Sequence, residues 1–193
     1  MFIVGINAKL RHGKDEAGRP LIEDGYTNFT PSTELRALAL ILNPVVHWED
    51  GAEVRVEDIE AWPGYEEAKD QFPEYRRFLQ ELGRATRAVF GPDVLLDAMK
   101  RRALADGDGD YVCTSMRYRN EADFCAEHGI TIRVWRPGIP VESDHETETA
   151  LDDYPFDYVV VNDGTVEDLH AKIREVVASG RRVWEARRSL IGV

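Results

Sequence analysis

Cysteine is scarce in this chain, with only Cys113 and Cys125 among 193 residues. Their spacing makes no C-x-x-C metal or redox pair, and two thiols make no disulfide framework. They need not pair, and a reduced cytosol is the expected setting. No apolar run approaches the roughly 20 residues needed to cross a bilayer. The N-terminus lacks the charged-then-apolar order of a secretory leader. The expectation is therefore a cytoplasmic protein with no membrane partner. Positive charge is also in deficit: 24 Lys and Arg stand against 36 Asp and Glu, a net charge of −12. Such a surface repels a nucleic-acid backbone, which sets polymeric nucleic acid aside as a partner. A small anion held in a local basic pocket stays open. Neither an internal repeat nor a low-complexity linker is present. What is there, 43% hydrophobic and 31% charged residues, fits one globular domain with a sizeable core.

Short apolar runs at 2–6, 111–114, 130–135 and 158–161 read as strands. Helical patterns at 14–23, 33–42, 73–90, 92–104, 120–128 and 166–188 separate them. Strands alternating with helices predict an α/β fold with a parallel sheet covered on both faces, and nearly all-apolar strands agree with double coverage. Thr165 with Asp168 forms a candidate N-terminal cap. Pro73 and Pro92 suit first-turn positions. Pro20 should leave the first helix short or kinked. Residues 44–72 read as an irregular, acidic insertion packed on the main sheet.

The stretch "GINAKLRHGKDEAG" carries the first chemical signal. A strand, a small basic loop and then Gly13-Lys14 at a helix start bring backbone N–H groups and a helix N-terminus around an anion. Lys14 would reach the outer phosphates of a nucleoside triphosphate, and Lys9 and Arg11 add positive charge. Relative to the general phosphate-loop pattern, Ala8 stands in place of the first Gly and Asp15 in place of Ser or Thr. The bland alternative is a basic turn between a strand and a helix.

Three other stretches fail their tests. "DGDGD" at 106–110 lacks a Glu at the twelfth position of a calcium loop, where Arg117 stands. "HETET" at 145–149 lacks the second His of a zinc-protease helix. No G-x-S-x-G turn supports a serine nucleophile. Two basic segments keep a functional reading beside a bland one. Arg117 and Arg119 follow the second strand and suit either a phosphate clamp or surface ion pairs with Glu121 or Asp123. Arg84 and Arg87 share a helix face and suit either a phosphate grip or simple solvation. Trp48, Trp62 and Tyr65 could stack on a base or fill the core.

Taken together, these segments resemble the deoxynucleoside monophosphate kinases of bacteriophages, relatives of adenylate and thymidylate kinases. "GINAKLRHGKDEA" resembles the family's G-K-x-R-S-G-K-D-T loop. "YEEAKDQFPEYRRFLQELG" resembles its G-W-x-x-A-K…P-E-x-R-x-x-L-Q-x-x-G segment, and "TSMRYRNEADF" its S-D-V-R-F-x-N-E-A. "RVWRPG" and "ESDHETETALDDYPFDYVVVNDGTVEDL" complete the order.

The resemblance implies a phosphate-loop nucleotide-kinase fold. Its core would be 1–25, 105–136 and 155–193, with an acceptor-binding insertion over 26–104 and a lid over 137–154. It implies transfer of the γ-phosphoryl group of ATP, with magnesium, to a deoxynucleoside monophosphate. Ala8, Lys9, Arg11, His12, Gly13, Lys14, Asp15 and Glu16 would surround the donor, with Arg136 at the lid and Asn162 and Gly164 beside the ATP base. Arg36, Gln80, Arg84, Arg87 and Arg117 would bind the acceptor, and Lys14, Arg87 and Arg117 would stabilise the moving charge. Asp15, Glu16 and Ser115 would be the candidate oxygen donors for magnesium, with Glu16 either helping to hold the metal or repelling ATP. Phage encoding, a host-cytoplasmic setting and a homodimer are further expectations of the same resemblance.

Several positions depart from the family pattern. Ala8 replaces Gly, Glu16 replaces Thr, Ser115 replaces Asp, "GRAT" replaces G-T-E, and Leu95 stands in place of Trp. These changes leave two alternatives open: a kinase for a modified pyrimidine nucleotide, or a kinase-fold protein that binds nucleotide or another protein without turnover.

Overall fold

The computed structural model describes residues 1–49, 51–106, 109–140 and 149–191. The chain divides into two compact units, residues 1–30 with 102–193, and residues 31–101.

The first unit is built on five parallel strands: β1 (Phe2–Ala8), β2 (Thr27–Asn28), β5 (Asp110–Cys113), β6 (Gly129–Trp135) and β7 (Tyr158–Val161). Their order is β2-β5-β1-β6-β7, so β1 lies at the centre. Phe2 pairs with Asp110 on one side, and Ile3 pairs with Gly129 on the other. Alternate residues of β1 point to opposite faces. On one face Phe2, Val4 and Ile6 join Val112, Ile130, Ile132 and Val134. This face is closed by Ala17 and Leu21 of α1 (Lys14–Glu23) and by Leu169, Ile173 and Val177 of α8 (Val166–Ile191). Burying each large aliphatic side chain there contributes roughly 1.5–3 kcal/mol. The other face packs against α7 (Arg119–His128). Near it, Phe29 lies 5.1 Å from Tyr111 and 6.3 Å from Phe124, ring centre to ring centre. Cys113 and Cys125 are free and buried.

Helix α1 keeps its predicted bounds and runs through Pro20 to Glu23. It is clamped at its C-terminal end by α8: Arg174 Nε and Nη2 donate to Asp24 at 2.8 and 3.0 Å, and Nη2 also donates to the Pro20 carbonyl at 3.3 Å. At the start of α8 the expected cap forms. The Thr165 N–H donates to Asp168 Oδ2 at 2.9 Å, and the Asp168 N–H to Thr165 Oγ1 at 3.2 Å.

The second unit holds α2 (Pro31–Leu42), β3 (Val45–Glu49), β4 (Ala52–Arg55), α3 (Val56–Ala61), α4 (Tyr65–Gln71), α5 (Pro73–Phe90) and the start of α6 (Val94–Asp106). The irregular reading of 44–72 is thus corrected. β3 and β4 form an antiparallel hairpin, followed by two short helices. The segment packs within its own unit: Val56, Ile59 and Ala68 join Ala39, Tyr75 and Leu79 in a second core. Trp62 is 75% exposed and belongs to neither core.

No helix among the described residues is long and apolar enough to cross a membrane.

Candidate active site

The central strand β1 delivers the chain to its C-terminal edge, and the loop 9–13 turns it into α1. Gly13 makes that turn with φ 94 and ψ 29, a left-handed conformation that side-chain-bearing residues adopt only with strain. Space enforces the same choice: a Cβ on Gly13 would lie 2.6 Å from Asn162 Nδ2. Being glycine, it brings no side chain to cap the helix, so the first turn of α1 starts without a side-chain cap. Farther along α1, a Cβ on Gly18 would lie 2.2 Å from Thr114 Cγ2, so glycine also sets how closely α1 approaches the end of β5.

A cleft of about 280 Å³ opens over this loop. Ala8, Lys9, Arg11, Gly13, Lys14, Asp15 and Glu16 line it from the loop and first turn, and Arg117 lines it from the segment after β5. Four cationic residues, Lys9, Arg11, Lys14 and Arg117, and two acidic ones, Asp15 and Glu16, therefore line one cavity in a chain of net charge −12. Lys14 Nζ is ion-paired with Asp15, whose side chain is 86% exposed. Glu16 turns toward α8, where its Oε1 lies 2.8 Å from His170 Nε2. Lys9 is buried and ion-paired with Asp152.

The loop is braced from below. Asn162, at the end of β7, donates Nδ2–H to the His12 carbonyl at 3.1 Å. Buried His12 accepts the Arg136 backbone N–H on Nδ1 at 3.1 Å, which puts the proton of a neutral ring on Nε2. Asn7 donates Nδ2–H to the Met116 carbonyl at 2.8 Å and accepts from Arg133 Nη1 at 2.8 Å. Arg133 continues to Asp152 at 3.2 Å. Burial pushes the Asp152 carboxyl up, but Lys9 and Arg133 outweigh it and hold it below the ordinary carboxylate value.

Several sequence-derived candidates thus fall on one cavity: Ala8, Lys9, Arg11, Gly13, Lys14, Asp15, Glu16 and Arg117. His12 and Asn162 lie in the bracing layer, and Arg136 joins it through its backbone N–H. Gly164 sits in the turn before α8. Ser115 Oγ is buried with no hydrogen-bond partner among the described residues, and its neighbours Met116 and Arg117 are the ones that line the cleft. The Arg117 backbone N–H, not its side chain, supplies the 2.7 Å hydrogen bond to Glu121 Oε2. That buried carboxylate also receives the Tyr118 N–H and so caps α7.

In the second unit, Arg36 Nε donates to Glu60 Oε2 at 2.5 Å, and Tyr75 Oη donates to Glu60 Oε1 at 2.6 Å. Burial, with the Glu60 carboxylate beside it, pushes the Tyr75 hydroxyl pKa well above its usual value. Arg84 Nε and Nη2 both donate to Glu81 Oε2, at 3.0 and 2.8 Å, and Arg87 Nη1 donates to the Gly83 carbonyl at 3.3 Å. Gln80 is exposed on the same helix. Residues 145–148 of the "HETET" motif and much of the expected lid, at 141–148, lie outside the described residues, as do residues 107 and 108 of "DGDGD".

Asn7, Arg133, Asp152 and His170 were not singled out by the sequence reading. Asn7 had one usable signal, an amide inside an otherwise apolar strand. The other three are ordinary surface residue types whose partners lie far off in sequence.

A buried parallel strand, a left-handed Gly, an uncapped helix start with Lys14, and the strand order around β1 define a P-loop kinase fold. The dephospho-CoA kinase of Campylobacter jejuni shares this fold, with a TM-score of 0.50 over 93% of this chain and 97% of that one at 13% identity. TT1252 from Thermus thermophilus superposes with a TM-score of 0.48 at 21% identity, covering 92% of this chain and 97% of that one. The chain belongs to the deoxynucleotide monophosphate kinase family, whose sequence model matches residues 66–173. An uncharacterized protein, ORF76, of Ictalurid herpesvirus 1 (strain Auburn) is 36% identical over 101 residues. That match spans 49% of this chain and 41% of the relative's own length.

Proposed function

We propose that the protein transfers the γ-phosphoryl group of ATP to a deoxynucleoside monophosphate, with magnesium. The observation that carries this reading is the cleft lined by Lys14, Arg11 and Arg117 over an uncapped helix N-terminus. It suits a polyphosphate and has no evident use for a neutral ligand.

Phosphoryl transfer asks a protein mainly to hold two anions in line and to stabilise the charge that shifts between them. The first-turn N–H groups of α1 receive the donor phosphates. Lys14 leaves its ion pair with Asp15 and contacts the outer phosphates. Arg117 neutralises the group in transit. From the second unit, Arg36, Gln80, Arg84 and Arg87 are the candidates for gripping the acceptor. Among the described residues, no group of three or more His, Cys, Asp or Glu is arranged as a metal cage. A hard cation carried in on the nucleotide needs none, because it takes most of its oxygens from phosphate and water. Asp15, an exposed carboxylate on the cleft, fits as its protein-side donor, and magnesium bound there supplies charge neutralisation at the phosphates.

A coupled assay of ADP formation over a panel of common and modified deoxynucleoside monophosphates tests the reading. Turnover with at least one acceptor, lost by about 100-fold or more on Lys14→Ala, is the expected result. Nucleotide binding without turnover on any acceptor would replace the kinase with a binding protein.

A further inference from the structure

Glu16 carries the wrong charge for a cleft that takes a polyphosphate. It stands in the first turn of α1, two positions beyond Lys14, and lines the same cavity. A carboxylate free to swing there repels the incoming anion and competes for Lys14. In the structure it is engaged elsewhere. Oε1 is 2.8 Å from His170 Nε2, and Oε2 is 3.5 Å from Arg19 Nη2. The His170 and Glu16 side chains are 16% and 25% exposed, so the contact is largely shielded from water.

The position of His170 does not depend on Glu16. Its helix, α8, is anchored by Leu169, Ile173 and Val177 in the core. One turn on, Arg174 grips Asp24 and the Pro20 carbonyl at the far end of α1. A fixed imidazole facing a carboxylate at the start of α1 sets the direction of the effect: the ring holds the carboxylate.

We infer that His170 is a positioning residue for the donor site, drawing the Glu16 carboxylate toward α8 so that it does not add a second negative charge, beside Asp15, to the first turn of α1 where Lys14 and the N–H groups meet the phosphates. The inference rests on the kinase reading above and names the residue that reconciles an acidic first turn with it.

The test uses the full chain, with magnesium and ATP as the probe. Kd is read by calorimetry, KM and kcat by the coupled assay, and folding by thermal melting. His170→Ala, and His170→Leu as a variant that keeps bulk against α1, should each raise the ATP Kd and KM about tenfold and move kcat less than about threefold. His170→Gln, which still donates a hydrogen bond, should recover most of the affinity. Glu16→Gln introduced beside His170→Ala should also recover it, because the charge being restrained is gone. A merely structural histidine gives a different pattern: the double variant stays as weak as His170→Ala, or melting falls while Kd holds. Either result overturns the inference, as does an unchanged Kd in both single variants. A wild-type chain that binds no ATP overturns the kinase reading itself, and the inference with it.

Discussion

The side-chain nitrogen of Asn162 lies 2.6 Å from the point a Cβ on Gly13 would occupy, and the same nitrogen donates to the carbonyl of the preceding residue, His12. The brace beneath the loop therefore also enforces the glycine above it. Gly13→Ala should cost about 1–3 kcal/mol in urea unfolding, since it adds backbone strain to a steric clash. Asn162→Ala should cost about 1 kcal/mol through the lost hydrogen bond. The two changes together should cost less than their sum, because removing the amide relieves the clash. Both single variants should weaken ATP binding in calorimetry by more than their stability loss alone would.

Arg117 separates function from stability. Its side chain is exposed, while its backbone N–H does the structural work of reaching Glu121. Arg117→Ala should lower kcat/KM by about 100-fold and leave the melting temperature within about 2 °C. Glu121→Ala should do the reverse in melting experiments, since it uncaps α7 and removes the acceptor of the part-buried Arg117 and Tyr118 N–H groups, at about 1–3 kcal/mol. Equal losses of activity and stability in Arg117→Ala would make the arginine a structural residue.

Asp152 gives the fold an acid-sensitive contact. Its folded pKa is depressed by Lys9 and Arg133. The stabilisation is therefore fully present above the unfolded value of about 3.9 and disappears as pH falls through the lower folded value. The urea midpoint of the wild type should exceed that of Asp152→Asn by a constant margin between about pH 5 and pH 7. That margin should shrink from about pH 4 downward. A margin that grows on acidification would contradict the assignment.

Two candidate acceptor arginines should behave differently. Arg36 satisfies Glu60, whose side chain is only 4% exposed, whereas Arg84 pairs with Glu81 on an exposed helix face. Arg36→Ala should cost about 1–3 kcal/mol by stranding a buried carboxylate, and Arg84→Ala less than about 1 kcal/mol. Chemical unfolding of both variants beside an acceptor titration measures the two effects separately.

The parallel sheet and most helices were legible because their residues repeat an apolar pattern with no competing signal. The runs ending at Ile6 and Val161, and the helix from Pro73 to Phe90, are examples. β2 was not legible, since two exposed residues have no pattern to read. The β3–β4 hairpin was hidden because its strands are short and mix Val with charged residues. In the site, Gly13 and Lys14 announced themselves through local spacing. The contacts of Asn162 with His12, His170 with Glu16, and Asp152 with Lys9 could not. Each joins the loop or the first turn of α1 to a residue more than 130 positions later, and a long-range pairing of common polar residues leaves no local trace.

The place of β1 at the centre of the sheet has a consequence for how the protein comes into being. Phe2 must wait for Asp110, and Ile3 for Gly129, before either side of that strand has a partner. On the ribosome, the second unit emerges in full before the first sheet can be completed. At about 5–20 residues per second, synthesis leaves the apolar strand unpaired for several seconds. Closing contacts over so long a loop is also intrinsically slow. During that interval β1 is a segment for chaperones to guard. Conditions that slow synthesis between residues 31 and 110 should be felt first in the yield of folded protein.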